Sequence, residues 1–417
     1  MEIRRDRYLD ALKVRMHNGM IKVITGLRRC GKSYMVFHIF KNYLLESGVK
    51  EDHIITIELD QRKNKELRNP DKILDYIDEQ IKASEQYYIL LDEVQMLDEF
   101  EEVLNSLLHI ENADVYVTGS NSKFLSKDII TEFRGRGDEI HIYPLSFKEF
   151  MQVYDKDRYQ GWADYIAYGG LPLTVTMKSE EQKIQYLSTL FNETYIKDIV
   201  ERNSIERIQE LNDLINILAF SIGTLTNPTR IEGTFRSVIQ SNISVNTIRQ
   251  YIEYLKDAFV ITEAQRYDVK GRKYIGSPVK YYFEDVGLRN ARLGFRQVEE
   301  THLMENIIYN ELRMRGFQVD VGVVQKRERN RDGVMAKKQL EVDFVASLGS
   351  KKYYIQSAYS LPDIEKTKQE KASLISINDS FKKIIIVKDV INLKHDEDGV
   401  EYINIYDFLL RENSLEL

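Results

Sequence analysis

Residues 20–33 read Met-Ile-Lys-Val-Ile-Thr-Gly-Leu-Arg-Arg-Cys-Gly-Lys-Ser, and this stretch decides the fold. Met20–Thr25 is a short, β-branched run of the kind that forms a buried strand. Gly26 to Ser33 fits the spacing G-x-x-x-x-G-K-[ST], and an amphipathic helix is predicted from about Lys32 to Glu46. A glycine-rich turn between strand and helix lets backbone N–H groups wrap phosphates, while the helix aims its positive end at them. Gly26, Leu27, Arg28, Arg29, Cys30, Gly31, Lys32, Ser33 and Tyr34 are the expected nucleotide-binding residues. Lys32 is expected to reach the β- and γ-phosphates and the Ser33 hydroxyl to hold Mg²⁺. ATP and Mg²⁺ are therefore the expected cofactors. Cys30 sits near a helix N-terminus beside Arg28, Arg29 and Lys32, which predicts a reactive thiol that ATP protects.

Outward from this stretch, apolar strands alternate with amphipathic helices. Strands are predicted at 53–59, 87–91, 114–118 and 139–143, and helices at 71–83 and 98–110. Continuous apolar strands in strand–helix alternation mean an α/β fold with a parallel sheet covered on both faces. Tyr88-Ile89-Leu90-Leu91 delivers Asp92 and Glu93 to the carboxyl end of a strand. In such a sheet Asp92 would hold Mg²⁺ through water, and Glu93 would polarise an attacking water. Thr118-Gly119-Ser120-Asn121-Ser122 closes the fourth strand with polar groups, and Ser120 or Asn121 is expected to orient the water or sense the γ-phosphate. Arg134-Gly135-Arg136-Gly137 precedes the fifth strand, where a guanidinium can neutralise transition-state charge in cis or from a neighbouring subunit.

From Ser146 the pattern turns helical. Helices at 205–222 and 246–258, followed by a strand and the basic turn Val269-Lys270-Gly271-Arg272-Lys273, give the order of a winged helix-turn-helix. The last third restarts α/β, with a helix at 303–315, strands at 318–324, 340–346, 353–356 and 383–387, and a charged loop at 326–338.

Composition sets the outer limits. The chain has 417 residues, 43% hydrophobic and 30% charged, with a formal net charge of −7. An acidic chain is not an electrostatic glove for nucleic acid, so any DNA or RNA contact must be a local patch. No apolar run approaches the roughly 18–20 residues that span a bilayer. The N-terminus leads into no apolar segment of a signal peptide, and one cysteine excludes an intramolecular disulfide. A cytoplasmic location with no membrane contact is expected.

Seven motifs occur in order: Gly26–Ser33, Leu90-Leu91-Asp92-Glu93-Val94-Gln95, Thr118–Ser122, Tyr143-Pro-Leu-Ser-Phe-Lys-Glu-Phe150, Tyr168-Gly-Gly-Leu-Pro172, Tyr282-Phe-Glu-Asp-Val-Gly-Leu-Arg-Asn290 and Glu305-Asn-Ile-Ile-Tyr-Asn-Glu-Leu312. Their order resembles the prokaryotic AAA-type P-loop ATPases that carry a C-terminal, restriction-endonuclease-like domain of unknown function. The resemblance implies an ATPase core at 1–146, a helical lid at 147–204, a winged helix-turn-helix at 205–282 and a nuclease-like domain at 283–417. It favours Arg136 as the catalytic arginine, because a Gly-Arg pair precedes the Pro-Leu-Ser-Phe motif in that family.

A nuclease site of the type PD-(D/E)xK needs a helix acid, an Asp, then an acid and a lysine on the next strand. Here Glu305 and Glu311 lie on the helix and Glu341 and Asp343 open a strand, but Gln356 and Ala358 stand where the acid and lysine belong. Lys366 or Lys368 would have to reach in from the next helix. The reading is a nuclease fold without cleavage. The segments 266–280 and 326–338 are rich in Lys and Arg, with Tyr267 and Tyr274 in the first, and are the expected contacts for DNA or RNA. The leading expectation is a Mg²⁺-dependent AAA-type ATPase that acts as a motor or switch on nucleic acid or a macromolecular partner; the alternatives are an ATP-gated signalling module that recruits a protein partner without motor activity, since winged helices also bind proteins, or an ATP-regulated nuclease. A homo-oligomer is compatible with all three.

Overall fold

The computed structural model describes residues 3–119, 136–296, 298–329, 335–388 and 395–416. Ser120, Asn121, Arg134 and Gly135 lie outside these residues. The chain forms two compact units, Met1–Pro144 with Lys256–Phe259, and Leu145–Leu255 with Val260–Leu417.

The first unit holds a five-stranded sheet built of β1 (Ile21–Thr25), β2 (Ile54–Glu58), β3 (Tyr87–Asp92), β4 (Ala113–Thr118) and β5 (Gly137–His141). The spatial order is β2-β3-β4-β1-β5 and every pairing is parallel. All five residues of β1 and all six of β3 are buried, as continuous apolar strands between two helical layers require. The helices Pro70–Gln80 and Phe100–Leu107 cover one face through Ile73, Ile77, Phe100, Val103, Leu104 and Leu107. Asn69 caps the first of them, its side chain accepting from the Lys72 N–H at 3.1 Å, with Pro70 pre-set at the first helical position. The helix at 32–46 widens to π-helical turns at Met35–Phe40. An N-terminal helix, Asp6–Val14, was not legible in the sequence.

The second unit opens with helices and then builds one mixed sheet from β6 (Ile261–Asp268), β7 (Lys273–Phe283), β8 (Gln318–Arg329), β9 (Met335–Leu348), β10 (Lys351–Ala358), β11 (Lys382–Val387) and β12 (Val400–Asn404). Their order is β12-β11-β10-β9-β8-β6-β7. The helices Ile208–Phe220 and Val245–Asp257 match the expected pair, but the hairpin after them is not a separate wing. Arg266, Tyr267 and Asp268 of β6 pair in parallel with Val321, Gly322 and Val323 of β8. The expected boundary at 282 therefore falls inside one sheet. The expected loop at 326–338 is largely ladder, with Lys326 opposite Lys338 and Arg329 opposite Met335.

Four of the seven motifs interlock in this unit. Asp285 Oδ2 accepts from the Gly170 N–H at 2.8 Å and Oδ1 from the Leu288 N–H at 3.0 Å. The Gly170 carbonyl in turn accepts from the Leu145 N–H at 2.7 Å. Asn290 donates to the carbonyls of Ile166 and Ala167 at 2.8 and 3.0 Å. Asn306 exchanges two hydrogen bonds with the Phe283 backbone, and Asn310 donates to the carbonyls of Phe283 and Glu284. A Cβ on Gly287 would lie 2.1 Å from the Tyr168 carbonyl oxygen, so only glycine permits this approach. Leu145 and the motifs at 168–172, 282–290 and 305–312 thus form one buried polar joint. Asp285, Asn290, Asn306 and Asn310 each satisfy backbone groups that burial would otherwise leave unpaired.

Asp285 lends this joint a pH dependence. Its carboxyl is pushed up to about 6, by burial first, against three backbone N–H donors that pull it down. The unfolded value is about 3.9, so the fold prefers the protonated form. That contribution is present below about pH 4 and lost as pH rises through about 6. Asp285→Asn, neutral at every pH, should therefore gain roughly 2–3 kcal/mol relative to the parent chain as pH rises through this window. Asp285→Ala, which orphans the buried N–H groups that the carboxylate accepts from, should cost about 3 kcal/mol at pH 5. Urea unfolding of both variants at several pH values checks the two statements, and a flat Asp285→Asn difference would refute the first.

Candidate functional site

The loop 26–33 leaves β1 at the carboxyl edge of the parallel sheet, where ligands of open α/β sheets bind. Its conformation needs its glycines. Gly26 has φ +137°, and a Cβ there would lie 2.1 Å from the Ile142 carbonyl oxygen. Gly31 and Arg29 also take positive φ, at 102° and 64°. Lys32 is buried, and its ammonium donates to the carbonyls of Gly26 and Leu27 at 3.0 and 3.1 Å, across the span of the loop. Arg28, Arg29 and Tyr34 are exposed, and the Tyr34 ring stacks on His38 with centroids 4.8 Å apart.

Arg5, at the start of the N-terminal helix, braces this loop from behind. Its guanidinium donates to the carbonyls of Cys30 at 3.0 Å and Tyr143 at 2.8 Å, while Tyr8 Oη accepts from the Tyr143 N–H. The sequence reading missed both residues. Their only signal is an Arg-rich, amphipathic N-terminus.

Asp92 ends β3 beside the loop. Its Oδ1 accepts from the Ser33 hydroxyl at 2.9 Å and from the Thr118 hydroxyl. Burial pushes the Asp92 carboxyl above its ordinary value, the two hydroxyl donors pull it down, and Glu93 and Asp60 raise it. Thr118 also accepts from the Glu93 N–H at 3.1 Å. The sequence reading placed the γ-phosphate sensor at Ser120 or Asn121, but the described residue that links the two acids is Thr118. Glu93 itself takes a left-handed backbone at φ 50°, ψ 51°, and its carboxylate accepts from the Gln95 side chain. A non-glycine residue in that region is strained, and such strain collects at functional sites.

Asp92 Oδ1 and the Ser33 hydroxyl are hard oxygen donors side by side, and carboxylate oxygens of Glu58 and Asp60 lie within 4.8 Å of Asp92. This donor set fits Mg²⁺, which favours one or two carboxylates with waters and phosphate oxygens. Glu58 and Asp60 were also missed. They reach the site only because β2 lies next to β3, Glu58 opposite Asp92.

Two expectations change. Arg136 is exposed, and its carbonyl accepts from the Ile21 N–H at 2.9 Å, level with the start of β1. At about 3.3 Å per residue, the length of β1 separates it from its own phosphate loop by roughly 15 Å, beyond the reach of its side chain. In this arrangement the Arg136 side chain does not reach its own phosphate loop. Cys30 is fully buried, and its thiol donates to the Ile142 carbonyl at 3.0 Å. The helix end and the nearby cations do not make it accessible. Native protein should react slowly with a thiol reagent whether or not Mg-ATP is present, and quickly only after unfolding. A thiol titration with and without guanidinium measures this, and rapid native labelling that ATP blocks would restore the reactive-thiol reading.

Residues 18–151 match the model of an AAA domain, and residues 159–299 match a domain of unknown function, DUF8612. Over 98% of its length the chain is 32% identical to an uncharacterized protein of Haemophilus influenzae, covering 99% of that protein. An uncharacterized protein of Methanocaldococcus jannaschii is 29% identical, over 97% of this chain and 88% of that one. The structure of the Aeropyrum pernix Orc1 protein in complex with DNA overlaps 70% of this chain and 92% of its own at 12% identity, with a TM-score of 0.30, and at that score the likeness bears on neither fold nor function. The chain belongs to the family of the Haemophilus influenzae protein, and its residues 18–151 form an AAA domain, a P-loop ATPase domain.

Proposed function

We propose that the protein is a Mg²⁺-dependent ATPase whose hydrolysis is completed by an arginine from a neighbouring copy. The observation that supports it is the hydrogen-bonded chain Ser33–Asp92–Thr118–Glu93 beside the loop Gly26–Lys32. In this reading the loop N–H groups and Lys32 bind the phosphates, and Ser33 and Asp92 hold the metal. Bound Mg²⁺ would neutralise phosphate charge. Glu93 accepts the proton of the attacking water, with Gln95 fixing its carboxylate. Arg136, at the opposite edge of the sheet, serves a partner's site, and Ser120 or Asn121 remains a candidate sensor.

The part of the second unit at 283–417 is proposed to be a nuclease-like scaffold that does not cleave. Support comes from the placement of Glu305 on its helix, Asp343 on β9 and Gln356 on β10, with Ala358 where a lysine belongs. A macromolecular partner fits the exposed turn at Lys270, Arg272 and Lys273. The other cations of segment 266–280 are spent elsewhere: Arg266 is buried against Gln339, and Lys280 is buried among carboxylates. This leaves a small basic tip, a contact for DNA or RNA backbone without base reading, or for an acidic protein surface.

ATP turnover with and without DNA, at two salt concentrations, tests the reading. Glu93→Gln should bind ATP and lose turnover by about 10²-fold or more. Lys32→Ala should weaken binding itself. Turnover near the parent rate in Glu93→Gln would move the water-activating role elsewhere. Arg136→Ala should also bind without turning over, and mixing it with Glu93→Gln protein should restore activity, because one mixed interface unites an intact glutamate with an intact arginine. Mixed oligomers that stay inactive would rule out the trans arginine.

A further inference from the structure

Four elements of the second unit meet at one buried point. β7 brings Lys280 and Tyr282, the helix Glu300–Met314 brings Glu305, β9 brings Glu341 and Asp343, and β10 brings Gln356 and Ser357. The pairs 280/282 and 341/343 are two apart and so share a sheet face. Lys280 Nζ lies 2.8 Å from Glu305 Oε1, 2.8 Å from Glu341 Oε1 and 3.7 Å from Asp343 Oδ1. Lys280 is 2% exposed, Glu305 8% and Asp343 7%. Tyr282 donates its hydroxyl to Glu305 Oε1 at 2.7 Å, and the Ser357 N–H donates to Asp343 Oδ2 at 2.9 Å. The helix acid here is Glu305. Glu311 instead pairs with Arg315 at 2.7 Å, and Lys366 pairs with Glu370 on its own helix.

Three carboxylates around one point are what a hard divalent cation binds. The ammonium already stands there. Burial by itself would discharge Lys280, but Glu305, Asp343 and Glu341 outweigh it and hold the lysine charged. Burial and Glu305 push the Asp343 carboxyl up, to about 8, against the pull of Lys280. A cation bonded to the same three oxygens would need the space of the ammonium and would face its charge. In nuclease sites of the type PD-(D/E)xK the lysine comes from the strand of the third element. Here that strand offers Ala358, and the lysine comes from β7 into the metal position.

We propose that Lys280 is a built-in counter-ion that takes the place of a divalent cation among Glu305, Glu341 and Asp343, and so closes this cluster to metal and to phosphodiester cleavage. The assignment does not depend on the ATPase reading. It also changes the reason for the missing cleavage: the positive charge is present, but in the wrong place.

The test uses the full chain, free of nucleotide and carrying Asp92→Asn to disable the other metal site. Melting temperature and Mn²⁺ binding by electron paramagnetic resonance are measured in Mn²⁺ and in EDTA. With Lys280 intact, Mn²⁺ should neither bind at this cluster nor shift the melting temperature. Lys280→Met should melt lower in EDTA and gain Mn²⁺ affinity by at least about tenfold, with a matching stabilisation by mass action. Adding Asp343→Asn should remove that gain. If Lys280→Met is unfolded in EDTA, refolding on Mn²⁺ supports the proposal and failure to refold counts against it. Two results overturn it outright: Mn²⁺ binding to the Lys280 protein that Asp343→Asn abolishes, or Mn²⁺-dependent plasmid cleavage with the same dependence on Asp343.

Discussion

The Asp92 carboxylate accepts from Ser33 and Thr118 at once, and this sharing ties three connections of the parallel sheet to one point. Ser33 begins the helix after β1, Asp92 ends β3, and Thr118 ends β4. A buried carboxylate without donors is expensive to ionise. The two hydroxyls offset that cost for Asp92, and they also fix the spacing between the phosphate loop and the acid. Strand order β3-β4-β1 is what makes this convergence possible.

In the second unit the governing constraint is different. Helix ends and sharp turns packed inside the unit leave carbonyls and N–H groups away from water, and Asp285, Asn290, Asn306 and Asn310 pair with them. These residues carry no chemistry of their own. They explain why short motifs far from the phosphate loop accompany it in the sequence, because glycines such as Gly287 and the amide side chains fit one geometry only.

What was legible in the sequence follows from range. The phosphate loop, β1, β3, Asp92 and Glu93 are signalled by neighbours within about ten residues, where period and spacing speak directly. Arg5, Glu58 and Asp60 reach the site through pairings tens of residues apart, and no local pattern announces them. The burial of Cys30 was misread because nearby cations suggest reactivity, while its packing against Ile142 depends on β5 lying next to β1. The hairpin at 261–283 carries a sound local signal, yet its membership of the larger sheet depends on β8, some fifty residues on. Lys280 is the extreme case, since its partners are Glu305, Glu341 and Asp343. In sequence it is one more cation in a basic segment, and only register turns it inward.

Glu93 shows how the local and the distant meet. Its left-handed backbone is a local cost, which a glycine would avoid. The strain persists because Thr118 fixes the Glu93 N–H and Gln95 fixes its carboxylate. Thr118 lies at the mouth of the connection from β4 to β5, and that connection ends at Arg136, on the far edge of the sheet. In the proposed reading the sharing of Thr118 between Asp92 and the Glu93 N–H is what keeps the metal-holding acid and the water-activating acid in one fixed relation.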